Sequence, residues 1–455
     1  MDILGKSILE LRESVIKKLI SYKEIHEYFQ KRIQTYNKKL NAYLTVCGDR
    51  SERMPIAVKD VYCTKNIRTT AASKVLHDFI PPYDATVVKR LLDSGFEVLG
   101  KTNMDAWCHG SSSETSDYGA PKNPWDLARS PGGSSGGSAA VVSSYLAPAA
   151  IGTETAGSIR GPASWSGIVG LKPTYGRVSR YGVIAMGSSL DSPGPLALTV
   201  KDAAYILSII AGNDPFDATS SSVSITDYVR SVDTPKKLTI GIPDEYFDGV
   251  NTEVKQSVMD SIKILEKLGH KIKKIKLLHP KYIISVYTIL QRAEVSSNLS
   301  RYDGIRYGNG RNCFSEEAKR RIMLGTYTLS YGYYDAYYKK AQRVRTLIVE
   351  DFKEVFKKVD VIAGPTMPVT AMKLGESEKY PFFGELMDVL TEPTSIAGLP
   401  AMSIPVGLDS NSLPVGMQLI GRQFDEEILF NLAYQFEKET DFFGIIKKGI
   451  ARYKD

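Results

Sequence analysis

Residues 131–138 read Pro-Gly-Gly-Ser-Ser-Gly-Gly-Ser, and a second small-residue run, Gly-Thr-Glu-Thr-Ala-Gly-Ser, follows at 152–158. Glycine allows tight turns and close backbone approach, so serines set among glycines can lie bare against a ligand. A flexible linker would share this composition. Linkers are not flanked by packing segments, however, and Val141, Val142, Leu146 and Ile151 come at once after the first run. Both runs therefore read as buried, with serines that can lie at the floor of a pocket.

A chain of 455 residues exceeds the usual size of a single core, so it reads as one large α/β domain with insertions or as two to three smaller domains. With 43% hydrophobic and 24% charged residues it lies far from disorder. The formal charge of +7, from 58 basic and 51 acidic residues, is compatible with nucleic acid or an acidic partner but too diffuse to establish either. Cys47, Cys63, Cys108 and Cys313 form no Cys-x-x-Cys pair, which argues against a disulfide framework or a zinc site and for a reducing compartment. No run of eighteen apolar residues predicts a membrane span, and the N-terminus lacks a secretory layout. Asp2, Glu10 and Glu13 speak against a cleavable mitochondrial presequence.

Along the chain, Ile8, Leu11, Val15, Leu19 and Ile25 have helical spacing and predict two surface helices within 7–40. From Pro55 to about Thr199 short apolar runs broken by turns predict buried strands and close-packed helices, including a small-residue helix over 138–146. Residues 212–236 read as a polar connection before the strand Leu-Thr-Ile-Gly-Ile-Pro. Val254, Val258, Ile262, Leu265 and Leu268 mark a helix stopped by Gly269, followed by a strand-like Lys/Ile alternation. Val359–Ala363 and Met402–Val406 complete the alternation of strands and helices as interior strands.

Three familiar readings of the glycine loop compete. No Gly-Lys-Ser/Thr ending follows it, so a phosphate-binding P-loop fails. The run also misses Gly-x-Gly-x-x-Gly, which removes a dinucleotide site. Gly132 to Gly136 does match Gly-x-Ser-x-Gly, an elbow that would make Ser134 the nucleophile. That triad needs a downstream histidine, and only His270 and His279 are available, both beside the Lys/Ile segment that reads as an exposed edge with partly solvated histidines. The serines with Lys59, in Ala-Val-Lys-Asp, instead suggest a serine hydrolase without histidine: a buried lysine, neutral through desolvation, can take a proton from a hydroxyl.

Lys59, Gly132 to Ser138 and Gly157-Ser158-Ile159-Arg160 resemble the amidase signature family. The intervals of 75 residues from Lys59 to Ser134 and 24 from Ser134 to Ser158 are those of its Lys-Ser-Ser triad. The likeness continues through 170–179, 191–195, 398–401 and 414–416. It implies an α/β amidase signature fold, with a large mixed central β-sheet covered on both faces by helices. It also implies a single domain over 1–455: N-terminal helices at 1–50, a catalytic core at 55–200, a helical and strand region at 237–345 contributing to the substrate pocket, and a C-terminal completion at 355–440. By the family pattern Ser158 is the nucleophile, Ser134, in a cis peptide, relays protons to Lys59, and the N–H groups of Thr155, Ala156, Gly157 and Ser158 form the oxyanion hole.

Segments 294–304, 319–326 and 332–342 are similar to one branch, the glutaminase subunits of tRNA-dependent amidotransferases. That likeness implies hydrolysis of glutamine and delivery of ammonia to a transamidase B subunit, in a heterotrimer with a small third subunit, for conversion of Glu-tRNA(Gln) to Gln-tRNA(Gln). ATP, Mg and most tRNA contacts belong to the partner; no metal or cofactor is expected in this chain, nor any membrane contact. Glutamine carries a carboxylate and an ammonium, so its pocket needs a cation and an anion. Motif matching nominates Arg321 for the carboxylate, Asp388 for the ammonium and Tyr287 as a hydroxyl contact; a helix-surface charge, a cap and a core aromatic are their plain structural alternatives. A free-standing hydrolase of small amides and a scaffold with a vestigial triad are the competing functions. Glu154 and Ala156 stand where Asp and Gly are usual, and Gly161 where Gln is common. The stretches Leu44–Pro55 and Tyr307–Lys319 are short, which points to the mitochondrial matrix, with a bacterial cytoplasm as the alternative.

Overall fold

The computed structural model describes residues 3–48, 52–305, 309–380 and 383–453. Among these, eleven strands form one sheet. They are β1 (Tyr43–Val46), β2 (Met54–Lys59), β3 (Phe96–Thr102), β4 (Ala149–Glu154), β5 (Val169–Lys172), β6 (Ser192–Ala197), β7 (Thr239–Pro243), β8 (Lys271–Ile275), β9 (Val361–Pro365), β10 (Ala401–Leu408) and β11 (Pro414–Ile420). Their order is β1-β3-β2-β4-β6-β5-β10-β11-β9-β7-β8. The sheet is mixed. Strands β3, β2 and β4 run parallel, as do β9, β7 and β8, while the block from β4 through β6, β5, β10 and β11 to β9 is antiparallel.

Every residue of β2, β3, β4, β5, β6 and β11 is buried. Successive side chains on a strand point to opposite faces, so such strands must be covered on both. Helices Gly136–Ser143 and Arg160–Ser166 pack together against β4, β5, β10 and β11, and Thr86–Asp93, Val200–Ile210 and Glu426–Glu439 form another packed group against the sheet. The mixed sheet sheathed by helices is the architecture expected from the sequence. Edge strand β8 exposes Lys271, Lys273 and Lys274, while Ile272 is half-buried and Ile275 buried, in keeping with the exposed edge read from the sequence.

Several local readings are corrected. The two N-terminal helices are Ile8–Ile16 and Tyr22–Leu40, each started by a capping box, Ser7 with Glu10 and Ser21 with Glu24. Lys18 takes a left-handed φ of 55° between them, which rotates the register, so Leu19 is exposed and Ile20 turns inward. The small-residue helix spans 136–143 rather than 138–146. Tyr145, at φ 55°, leaves the helical path so that its hydroxyl reaches the carbonyls of Ile3 and Lys6. His270 is buried, not partly solvated, because its Nδ1 accepts the Leu238 N–H at 3.2 Å where β7 begins. His279 is part-exposed and paired with Asp248 at 3.0 Å. The helix Thr252–Lys267 ends before Gly269 at φ +89°, the stop read from the sequence. The shortened stretches near 44–55 and 307–319 lie partly outside the described residues. No described helix is long and apolar enough to cross a membrane.

Candidate active site

The parallel neighbours β2 and β4 place Lys59 and Thr153 side by side at the same end of the sheet. Lys59 is wholly buried. Its Nζ donates to Ser134 Oγ at 2.8 Å and Thr153 Oγ1 at 2.9 Å, with the Thr153 carbonyl at 3.4 Å. Burial pushes the Lys59 ammonium below its ordinary pKa, against the opposing pull of Cys108, Asp105 and Asp191. A lysine in this position can hold or release a proton toward a hydroxyl.

The Gly133–Ser134 peptide is cis, and its serine is fully buried. Gly132 turns at φ +87° and Gly133 lies so close to the Asp105 carboxylate and to the Ser112 and Ser113 amides that no Cβ would fit. Ser135 joins the two glycine-serine runs by donating its N–H to the Ser158 carbonyl at 3.1 Å. The runs that dominate the sequence are thus one surface in the fold.

The second run bends out of β4 and enters the helix Arg160–Ser166. Glu154 braces this turn. Its Oε2 accepts the N–H groups of Ile159 (2.9 Å) and Arg160 (3.0 Å), and its Oε1 accepts Arg160 Nε (2.8 Å) and Nη2 (2.6 Å). The same guanidinium reaches Gln418 Oε1 at 2.6 Å and the carbonyls of Ala156 (2.9 Å) and Thr391 (2.8 Å). Every one of these groups is buried. Among the described residues, the N–H groups of Thr155, Ala156, Gly157 and Ser158 meet no acceptor, so four successive donors stay free beside Ser158. Ala156 has no positive φ, so its methyl brings no backbone strain in place of the usual glycine. Gly157 is required for space: a Cβ there would collide with Asp388 Oδ1 and Thr391 Oγ1.

Ser158 lines a cavity with Cys108, Gly110, Ser111, Met186, Tyr287, Arg321, Gly384, Glu385 and Asp388. The three substrate candidates come from separate helices, Ile283–Leu299, Glu316–Leu329 and Phe383–Asp388, yet all face this one space. Arg321 is buried, which rules out the surface-charge alternative. Its Nε donates to Glu317 at 2.7 Å, and among the described residues its Nη atoms have no hydrogen-bond partner. Burial opposes its charge, but Glu317 and Glu385 overcome that, so the cation is kept. Asp388 is likewise buried; Ser111 Oγ donates to its Oδ2 at 2.7 Å while Oδ1 is unpartnered. Burial raises its pKa to about 8, against the Ser111 hydrogen bond. Tyr287 places its hydroxyl 3.4 Å from Thr155 Oγ1, and burial holds it firmly protonated.

Sequence reasoning did not single out Thr153, Ser111, Asp105 or Cys108. Thr153 had a signal, since it lies five residues before Ser158 in the same run and on the strand neighbouring the one that carries Lys59. Ser111 belongs to a Gly-Ser-Ser-Ser run at 110–113 that resembles the two catalytic-looking runs in composition. Nothing in the linear text connects that run to Asp388, 277 positions away.

A family model described as Amidase matches residues 24–430. The glutamyl-tRNA(Gln) amidotransferase A subunit of Geobacillus sp. strain WCH70 is 46% identical over 480 residues, covering 97% of this chain and 99% of its own. The Bacillus pumilus protein of the same name is 47% identical over 478 residues, with 97% and 98% covered. Among solved structures, the glutamyl-tRNA(Gln) amidotransferase A subunit from Thermotoga maritima superposes with a TM-score of 0.84 at 40% identity, covering 95% of each chain. The 6-aminohexanoate cyclic dimer hydrolase superposes with a TM-score of 0.88 over 96% of this chain and 97% of its own; at 24% identity it shares the fold alone.

Proposed function

Because this chain belongs to the amidase signature family, we propose that it is the glutamine-hydrolysing component of a tRNA-dependent amidotransferase, acting as one catalytic unit over 1–455. The observation that carries this reading is the placing of the Arg321 guanidinium and the Asp388 carboxyl together in the cavity that holds Ser158. A hydrolase of neutral aryl or acyl amides would have no use for a buried guanidinium and a buried carboxyl with an unpartnered oxygen at that spot. Glutamine uses both, its carboxylate on the Arg321 Nη atoms and its ammonium on Asp388 Oδ1.

The chemistry follows from the groups. Neutral Lys59 accepts a proton from Ser134, which in turn draws the proton from Ser158 as its Oγ attacks the amide carbon. The negative oxygen of the tetrahedral intermediate is received by the free N–H groups of Thr155 to Ser158. Ser134 returns the proton to the leaving nitrogen, ammonia departs, and water releases glutamate from Ser158. Tyr287, a protonated hydroxyl, contacts the bound substrate. A transamidase B subunit, joined by a small third subunit, would use the ammonia with ATP and Mg on Glu-tRNA(Gln). The bacterial sources of the relatives favour a bacterial cytoplasm over the mitochondrial matrix suggested by the short loops.

Glutamine labelled with nitrogen-15 in its amide tests the assignment. With the assembled complex, ATP and Glu-tRNA(Gln), the label appears in Gln-tRNA(Gln). Rapid turnover of aryl or acyl amides by the chain alone, with no label in tRNA, would establish the free-standing amidase instead.

Asp388 makes the binding step pH-dependent. Burial lifts its carboxyl to about 8, so at pH 7 it is mostly protonated. An ammonium on Oδ1 favours the carboxylate, and binding therefore expels a proton. The KM for glutamine falls as pH rises from 6 to 8, by up to about tenfold per unit, and levels off above 8. Calorimetry in buffers of different ionisation enthalpy detects the released proton directly. A flat KM profile in the native chain, or an unchanged slope in Asp388→Asn, would show that Asp388 does not hold the ammonium.

A further inference from the structure

The helix Glu316–Leu329 has two unlike faces. Its inner face buries Ala318, Arg321, Gly325 and Thr328, and Gly325 leaves no room for a Cβ against the Arg292 carbonyl, so this helix is pressed hard onto Ile283–Leu299. Those two helices carry Arg321 and Tyr287. The outer face exposes Met323 and Tyr327, the turn after it Tyr331, and the start of the next helical segment Tyr333, Tyr334 and Tyr337. The rings of Tyr327, Tyr333 and Tyr337 form a cluster, with centroids 4.3 Å apart for Tyr327 and Tyr333 and 5.9 Å for Tyr333 and Tyr337, and Tyr334 stacks on Tyr338 at 5.3 Å. Tyr331 is fully exposed.

At about 200 Å² per side chain, the exposed fractions of these six residues amount to roughly 700 Å². That approaches the ~800 Å² that each partner contributes to a standard interface. Tyrosine and methionine are also the residue types enriched where interfaces are tight. The rim is basic: Lys319, Arg320 and Lys339 answer Glu316, Glu317 and Asp335, which leaves exposed Lys340 and Arg343 as excess positive charge. A two-fold pairing of this face with itself would set those cations against each other. An acidic-rimmed partner would not meet that repulsion.

We propose that the tyrosine face from Met323 to Tyr337 is the docking surface for the ammonia-accepting partner protein, whose matching surface has an apolar centre and an acidic rim. This rests on the glutamine-hydrolysing reading. It gives the partner a direct mechanical hold on the pocket, because the docked helix is the one that carries Arg321.

The test uses the full chain co-expressed with the transamidase and small subunits of its own source, with assembly followed by light scattering and binding titration. Tyr331→Glu combined with Tyr337→Glu weakens assembly at least 100-fold and leaves the melting temperature of the free chain unchanged. Phe216→Glu, at an exposed aromatic elsewhere on the surface, has no such effect. Lys340→Glu with Arg343→Glu, which leaves the aromatic array intact, weakens assembly most strongly at low salt. Wild-type assembly that the tyrosine and charge variants both retain would overturn the docking face while leaving the function standing. Self-association of the free chain through the same tyrosines, or loss of tRNA binding alone, would overturn it as well. A wild-type chain that fails to assemble with those subunits at all would remove the functional reading, and the docking face with it.

Discussion

Ser158→Ala lowers glutamine hydrolysis by roughly 10⁴–10⁶-fold while amidation of Glu-tRNA(Gln) with added ammonium proceeds at the native rate in the assembled complex. The size of the loss follows from a covalent mechanism, in which removing the attacking atom forfeits nucleophile, relay and base together. The free N–H groups beside Ser158 and the charged pocket remain, so substrate still binds and the KM for glutamine stays within a few-fold. The measurement pairs the two nitrogen donors in one preparation. Loss of both activities would show that Ser158 matters for assembly or folding, and retention of both would place the nucleophile elsewhere. Ser134→Ala distinguishes the relay from the elbow reading: it slows glutamine hydrolysis but still permits a glutamine-like electrophile to label Ser158, whereas a nucleophilic Ser134 would leave no label at that position.

Glu154→Ala destabilises the chain by about 3–5 kcal/mol and removes activity with it. The carboxylate is the counter-charge of a fully buried guanidinium, and deleting one partner of such a pair strands the other. The N–H groups of Ile159 and Arg160 lose their acceptor too, each a buried donor worth about 1–3 kcal/mol when orphaned. Because those residues directly follow Ser158, the turn holding the nucleophile loosens. Glu154→Gln keeps the shape and some acceptors while removing the charge, and lands between the two. Urea unfolding followed by tryptophan fluorescence gives the stability change. A loss under about 1 kcal/mol in the alanine variant would mean that Arg160 is satisfied by Gln418 and the surrounding carbonyls without Glu154.

The α/β class was legible because Val254 to Leu268 keep helical period to Gly269, and because the short apolar runs Val359–Ala363 and Met402–Val406 read as interior strands and fall on Val361–Pro365 and Ala401–Leu408. Errors fell where one residue changes the backbone's direction. Lys18 and Tyr145 adopt left-handed φ with no glycine to announce it, which moved Leu19 outward and ended a helix at Ser143. His270 looked solvated beside lysines. The sheet edge instead uses its ring to accept the Leu238 amide.

By itself the sequence marked the two glycine-serine runs as buried, since small residues let backbone turns approach closely, and its likeness to the amidase signature family joined Lys59 to them by spacing. The same likeness nominated Arg321, Asp388 and Tyr287 for one glutamine pocket, with no indication of which elements would bring them together. Tertiary structure alone decided that three helices from distant parts of the chain aim those residues into the cavity of Ser158, that Thr153 sits on Lys59, and that Ser111 orients Asp388. The physical reason is the range of the forces: backbone geometry acts over a few residues and leaves its mark in local composition, whereas hydrogen bonds and desolvation act between whatever surfaces the packed sheet brings within a few ångströms.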